Sequence, residues 1–355
     1  MSARRHRAAR LEDAARGAVT RYLRGRGWTP RALPFAGYGS RGRVRVLARV
    51  LLCPPGSVPR SLDGVRGWRR FASAAAGGVP VEVTVGSCRE TVVSGRGGYL
   101  DVVLDAGATH APTVATLTVG SSVSYAPLFL VPDHARLGVV SDVDDTVMIT
   151  ALPRPLLALW NTFVRHESAR RPVPGMAGFY REILRRDPET FVVYLSTGPW
   201  NVAPALTTFL ERHGFPPGPL LMTDWGPTSS GWFRSGPAHK RTQLGRLMHE
   251  LPQLTWLLVG DDGQHDPVLY REAADAAPGR VRAIAIRQLT ASQQLLAHGT
   301  ITPLPGTDAD SAPAPGSGSG SGSDADAAEV PTVYGTDGDA LWIAVRDGGV
   351  LDSPA

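Results

Sequence analysis

Lysine is almost absent from this chain of 355 residues: 36 of its 37 basic side chains are arginine, and the exception is Lys240. Cysteine is nearly as scarce, with Cys53 and Cys88 alone. Two cysteines build no disulfide framework and suit a reducing compartment, so the expected location is cytoplasmic. Long hydrophobic runs are also lacking. The apolar stretches ending at Val131 and around Leu257 fall well short of a bilayer span, which excludes an integral membrane helix. The arginines near the start are not followed by an apolar segment, so secretion is not expected.

What is present describes an ordinary globular protein, with 43% hydrophobic and 19% charged residues in a length suited to about two domains. The net charge of +5 conceals an asymmetry. Residues 1–31 hold nine arginines against Glu12 and Asp13, while residues 307–355 hold nine acids against Arg346. A basic head of this kind attracts anionic lipid or nucleic acid, and charge alone does not choose between them. A solvated terminal helix explains it equally well.

The pattern divides the chain into five parts. Residues 1–33 read as a basic helical arm. Residues 34–133 alternate with period two, as in Val44, Val46, Ala48 and Val50 or Val81, Val83 and Val85, and predict an antiparallel β-sandwich-like domain. Residues 134–304 carry short, wholly apolar strands at 137–140, 191–195, 220–222, 256–259 and 281–286, with helical stretches between them. Buried strands alternating with helices predict a Rossmann-like parallel α/β sheet whose ligand lies beyond the strands' carboxyl ends. Residues 305–329 read as a Gly/Ser-rich acidic linker and 330–355 as a tail, in which Leu341–Val345 suggests a short docking strand.

Informative residues collect at the predicted strand ends. The first strand runs into Asp142-Val143-Asp144-Asp145-Thr146, carboxylates that repel one another unless a cation or proton is shared. A solvated acidic turn is the plainer reading, and a calcium loop fails for want of its glycine and terminal glutamate. The second strand ends in Ser196-Thr197-Gly198, a phosphate cradle or, more simply, a helix cap. The fourth ends in Gly260-Asp261, with Asp266 five residues on, where it completes an oxygen-only shell for a hard cation such as Mg²⁺ or caps the following helix. Lys240 is expected to open the helix before that strand and face the same site. In a chain that writes arginine for every other cation, a lone lysine marks a place for a compact ammonium.

In this order, Asp-x-Asp-x-Thr, Ser, Lys and Gly-Asp-x-x-x-x-Asp resemble the four motifs of the haloacid-dehalogenase superfamily. Residues 138–287, with Trp160-Asn161-Thr162-Phe163, Pro172–Met176 and His239-Lys240, are similar to the catalytic domain of actin-patch-type phosphatidate phosphatases. The resemblance implies a phosphatase in which Asp142 is the nucleophile, Asp144 the acid and base, and Ser196 and Lys240 the holders of phosphoryl oxygens. Thr146, Thr197 and Gly198 would border the phosphate. Mg²⁺ would sit between Asp142, the Asp144 carbonyl and Asp261, with Asp266 in support. The chain departs from the fungal pattern at Thr197-Gly198, in place of Asn-Ser, and at Asp262, in place of Ser; neither change removes a catalytic group.

The insertion between the first two motifs carries Leu152, Leu156, Leu157, Trp160 and Phe163 at amphipathic spacing and is too short for a full cap, which suits a large or interfacial substrate. Trp200, Trp225 and Trp232-Phe233 read as loop aromatics near the mouth, or else as core. The expectation is Mg²⁺-dependent hydrolysis of phosphatidate to diacylglycerol, with peripheral contact to an anionic phospholipid surface and no nucleic-acid partner. A phosphatase of a soluble phosphate ester or phosphoprotein is the alternative, followed by a non-catalytic metal-binding adaptor.

Overall fold

The computed structural model describes residues 17–40, 42–56, 75–107, 113–149, 171–223, 236–263, 265–290, 293 and 329–352. Residues 17–25 of the expected basic arm are helical. The first strand then opens at Thr29, so residues 29–33 belong to a sheet rather than to the arm. Residues 150–170, Trp225, Trp232, Phe233 and the Gly/Ser-rich linker lie outside the described residues.

Seven strands form the N-terminal sheet: β1 (Thr29–Ser40), β2 (Arg43–Cys53), β3 (Pro80–Val85), β4 (Cys88–Val93), β5 (Tyr99–Asp105), β6 (Val114–Val119) and β7 (Ser122–Leu130). Their order is β4-β3-β6-β7-β1-β2-β5, and the edge strands β4 and β5 come back into contact, so the sheet curls into a nearly closed barrel. Period-two alternation causes this. Val46, Val50, Val81, Val83, Leu104 and Leu117 are fully buried inside, while their neighbours along each strand face outward. One pairing departs from the antiparallel expectation, since β1 runs parallel to β7.

The second sheet is the expected parallel one. It comprises β8 (Leu137–Asp142), β11 (Phe191–Pro199), β12 (Leu220–Thr223), β13 (Thr255–Asp261), β14 (Val281–Arg287) and β15 (Thr332–Gly335), in the order β12-β11-β8-β13-β14-β15. A two-stranded ribbon, β9 (Met148–Ile149) with β10 (Arg171–Pro172), joins the ends of the insertion. Helices Met176–Arg186, Ala203–Arg212, Gly236–Glu250 and Asp266–Ala276 lie between the strands. Covered on both faces, the central strands are apolar along their middles, as Val139, Val140 and Leu257–Val259 show. The first strand stands in the middle, so the chain reverses direction around it and leaves a crevice at its carboxyl end.

The tail is part of this sheet. β15 pairs in parallel with β14, and Leu341–Val345 belongs to a helix, Gly338–Asp347, not to a strand. Leu341 and Val345 are buried one turn apart while Ile343 is half exposed. Asp337 caps the helix by accepting the Ala340 amide at 2.9 Å.

Barrel and parallel sheet share a core. Phe35 stacks on Trp200 with ring centroids 4.4 Å apart, so Trp200 is an interdomain core residue rather than a surface aromatic at the mouth. Around them, the Tyr38 hydroxyl and Arg45 Nε donate to Glu250 Oε2 at 2.8 and 3.0 Å, and Gln253 donates to Ser40 at 2.7 Å. Both cysteines are free, Cys53 buried and Cys88 half-buried. Among the described residues, no helix is long and apolar enough to cross a membrane.

Candidate active site

Register brings the first, second and fourth motifs together. β8 lies between β11 and β13, with Asp142 opposite Leu195 and Ser141 opposite Val259. Ser196 therefore stands one residue beyond Asp142 on one side, and Asp261 stands at the same end of the strand on the other. These three ends lie side by side, buried, at the carboxyl edge of the sheet. Lys240 reaches it from the Gly236–Glu250 helix. It sits in the second turn, because the helix begins four residues earlier than expected.

Three buried side chains form the centre. The Lys240 ammonium lies 2.6 Å from Asp142 Oδ1 and 2.5 Å from Asp266 Oδ1, and all three side chains are at most 2% exposed. Asp266 does not cap its helix; the N-cap residue is His265, without a side-chain cap, and the Asp266 carboxylate turns inward to the lysine. Asp261 offers a carboxylate oxygen within 4.8 Å of those of Asp142 and Asp266. Its other contact is local, as Oδ1 accepts the Gly263 amide at 2.7 Å.

One lysine does not balance three buried carboxylates. Burial pushes the Asp142 carboxyl well above the ordinary range; Lys240 opposes the rise, while Asp266 and Asp144 add to it. Asp261 is raised for the same reason, first by burial and then by Asp266 and Asp142. Burial favours the neutral amine of Lys240, yet the two adjoining carboxylates win and hold it above its usual value, so it stays charged. Asp142 Oδ2, Asp261 Oδ2 and Asp266 Oδ2 are buried without a hydrogen-bond partner. Orphaned buried carboxylate oxygens are costly, and a hard divalent cation such as Mg²⁺ satisfies such a set. The residues present fit the ion.

The remaining predicted residues border this centre. Asp144 is half-buried in the turn after β8 and makes a bridge with Met148; it is not among the three clustered carboxylates. Thr146 is fully buried and its hydroxyl has no partner. Ser196 is fully buried, and its Oγ accepts the Gly198 amide at 3.0 Å. Thr197 and Gly198 are held from behind, since the Thr223 hydroxyl lies 2.8 and 3.1 Å from their carbonyl oxygens.

Sequence reasoning missed several supports. Thr223 is one. Ser141 is another: its hydroxyl lies 2.7 Å from the Asp142 carbonyl and 2.6 Å from the Tyr180 hydroxyl, which steadies the end of β8. Arg287, 3% exposed, is the third; its Nη1 donates to the Asp145 carbonyl at 2.6 Å. Gly260 gives a signal that was legible. A Cβ there would lie 2.6 Å from Asp266 Oδ2 and 2.8 Å from its Cβ, so only glycine lets Asp266 approach β13.

Comparison with known proteins picks out the same parallel-sheet segment. Residues 137–288 match the model of the family described as phosphatidate phosphatase APP1, catalytic domain. Phosphatidate phosphatase APP1 of Saccharomyces cerevisiae is 24% identical over 152 residues, which are 42% of this chain and 26% of that protein. An uncharacterized protein of Schizosaccharomyces pombe is 24% identical over 158 residues, 44% of this chain and 26% of that one. The matched segment thus spans about a quarter of either relative. Among solved structures, a carbohydrate acetylesterase from Xanthomonas citri aligns over 74% of this chain and 70% of its own, at 10% identity and a TM-score of 0.26, too slight a likeness to argue from. The parallel-sheet segment 137–288, which carries Asp142, Ser196, Lys240, Asp261 and Asp266, is thus similar to the catalytic domain of phosphatidate phosphatase APP1.

Proposed function

We propose that the protein is a Mg²⁺-dependent phosphatase that hydrolyses phosphatidate to diacylglycerol through an aspartyl-phosphate at Asp142. The observation that carries this reading is the lone lysine held between Asp142 and Asp266, with Asp261 beside them. The family match supports the substrate. Asp142, Asp261 and Asp266 would hold the magnesium ion, whose charge offsets the repulsion between a carboxylate nucleophile and a phosphate dianion.

The chain's own groups account for the rest. An Asp142 carboxylate oxygen attacks phosphorus, and the bond from phosphorus to the glycerol oxygen breaks. Asp144, half-buried at the turn, gives that oxygen its proton and so releases diacylglycerol. It then takes a proton from the water that attacks the phosphorus of the aspartyl-phosphate, and inorganic phosphate leaves with Asp142 restored. Ser196 and Lys240 donate to the phosphoryl oxygens throughout, with Thr146, Thr197 and Gly198 lining the cradle.

The test is phosphate release from phosphatidate in mixed micelles, with and without Mg²⁺, for the native chain and Asp142→Asn. Activity that needs the metal and disappears in the variant is the expected result. Release from a soluble phosphate ester alone would move the substrate to the alternative class, and silence on both would leave a metal-binding adaptor.

A further inference from the structure

The turn that carries Asp144 and Thr146 is tied to a segment far along the chain. Asp145, at its centre, has φ 59°, the one non-glycine residue with positive φ among the described residues. A side chain in this left-handed region is uncommon and persists where its surroundings hold it. Two contacts enforce it here. The Asp145 amide donates to the Met148 carbonyl at 2.7 Å, and the Asp145 carbonyl accepts Arg287 Nη1 at 2.6 Å.

Arg287 ends β14, opposite Asp261 in the register, and its other arms reach away from the turn. Nε donates to the Thr336 carbonyl at 3.2 Å and Nη2 to Gln293 Oε1 at 3.0 Å. Thr336 directly follows β15. The same C-terminal segment makes a second attachment. The Gly338 amide donates to the Pro174 carbonyl at 3.0 Å, and a Cβ on Gly338 would lie only 2.1 Å from the Gly175 carbonyl carbon. Next to Pro174, the Val173 amide donates to the Val147 carbonyl at 3.0 Å, which leads back to the same turn.

We infer that Arg287 is a positioning residue for the Asp142–Thr146 turn, and that Thr336 and Gly338 hold it in place from outside the matched segment, which ends at residue 288. One peptide plane carries the Asp145 carbonyl and the Thr146 amide, so gripping the first fixes the direction of the second. It also sets the buried Thr146 hydroxyl and the approach of Asp144 from one residue before. A guanidinium serves because its planar fork reaches two carbonyls at once, which an ammonium does not reproduce. The inference rests on the phosphatase reading only in giving the turn a catalytic role.

The experiment compares Arg287→Met, Arg287→Lys and Gly338→Leu with the native full chain, using the exposed Arg346→Ala as control. Amide hydrogen exchange of residues 143–149 and kcat and KM on phosphatidate micelles with Mg²⁺ are measured on the folded fraction. Arg287→Met and Gly338→Leu should speed exchange in that stretch and lower kcat about 10–100-fold with KM within about twofold, because ångström misplacement of a catalytic group costs that much. Arg287→Lys should fall between Met and native, and Arg346→Ala should match native. Unchanged exchange in 143–149 with native kcat, even where melting temperature falls, would overturn the inference. Should the native chain prove inert on phosphatidate, the exchange comparison still decides it, while the phosphatase reading fails separately.

Discussion

At the scale of residues, the site is under electrostatic strain, and its removal is measurable. Asp142 and Asp261 titrate above the ordinary carboxylate range when folded, foremost because of burial. A raised carboxyl binds its proton more tightly in the folded state, so the contribution to stability is full below the ordinary value near pH 4 and is lost as pH rises through the folded one. Chemical denaturation in chelator should therefore show stability falling from pH 5 to pH 8, and Mg²⁺ should flatten the profile. A native profile that rises across this window in chelator would contradict the account. Asp261→Asn keeps the acceptor for Gly263 but removes a charge. It should stabilise the metal-free chain by about 0.5–2 kcal/mol at pH 8, as relief at functional sites commonly does, while abolishing metal-dependent turnover.

At the scale of elements, the sequence was most legible where periodicity was unambiguous. Alternating Val44–Val50 and the apolar runs of β8, β11 and β13 announced two different sheets. Lys240 stood out because its residue type is rare; Arg287 and Arg45 were hidden because theirs is common. Leu341–Val345 misled because five consecutive apolar residues mask a helical period that only burial reveals, with Leu341 and Val345 inside and Ile343 half exposed. The Asp337 cap was the available clue. Lys240 was expected at a helix start, but the helix opens at Gly236 and carries it one turn in, where its ammonium meets Asp142 and Asp266. Gly260 provides the prediction at this scale. Gly260→Ala should push Asp266 off β13, costing about 1–3 kcal/mol of stability and at least tenfold in kcat; a native-like enzyme would show that Asp266 has room the contacts deny.

At the scale of the whole molecule, barrel and catalytic sheet form one packed body. Phe35, Tyr38 and Leu47 of the barrel join the core of the parallel sheet, and Glu250 receives both Tyr38 and Arg45. Sequence could assign strands to each half but not this union, since Phe35–Trp200 spans 165 positions of chain. Phe35→Ala should cost about 3–5 kcal/mol in urea unfolding, the usual loss for a buried aromatic, and should unfold both halves in one transition. Two separate transitions in the native chain would contradict the shared core. Because Trp200 follows the Ser196–Gly198 cradle by two residues, the same variant should also weaken phosphate binding.

The central claim is that Asp142 takes the phosphoryl group. Rapid acid quench of the native chain during turnover of ³²P-labelled phosphatidate with Mg²⁺, followed by peptide mapping, tests it most directly. The account predicts a hydroxylamine-labile label on the peptide containing Asp142, absent from Asp142→Asn. Turnover with no label on that peptide, or a label that survives in Asp142→Asn, would contradict it.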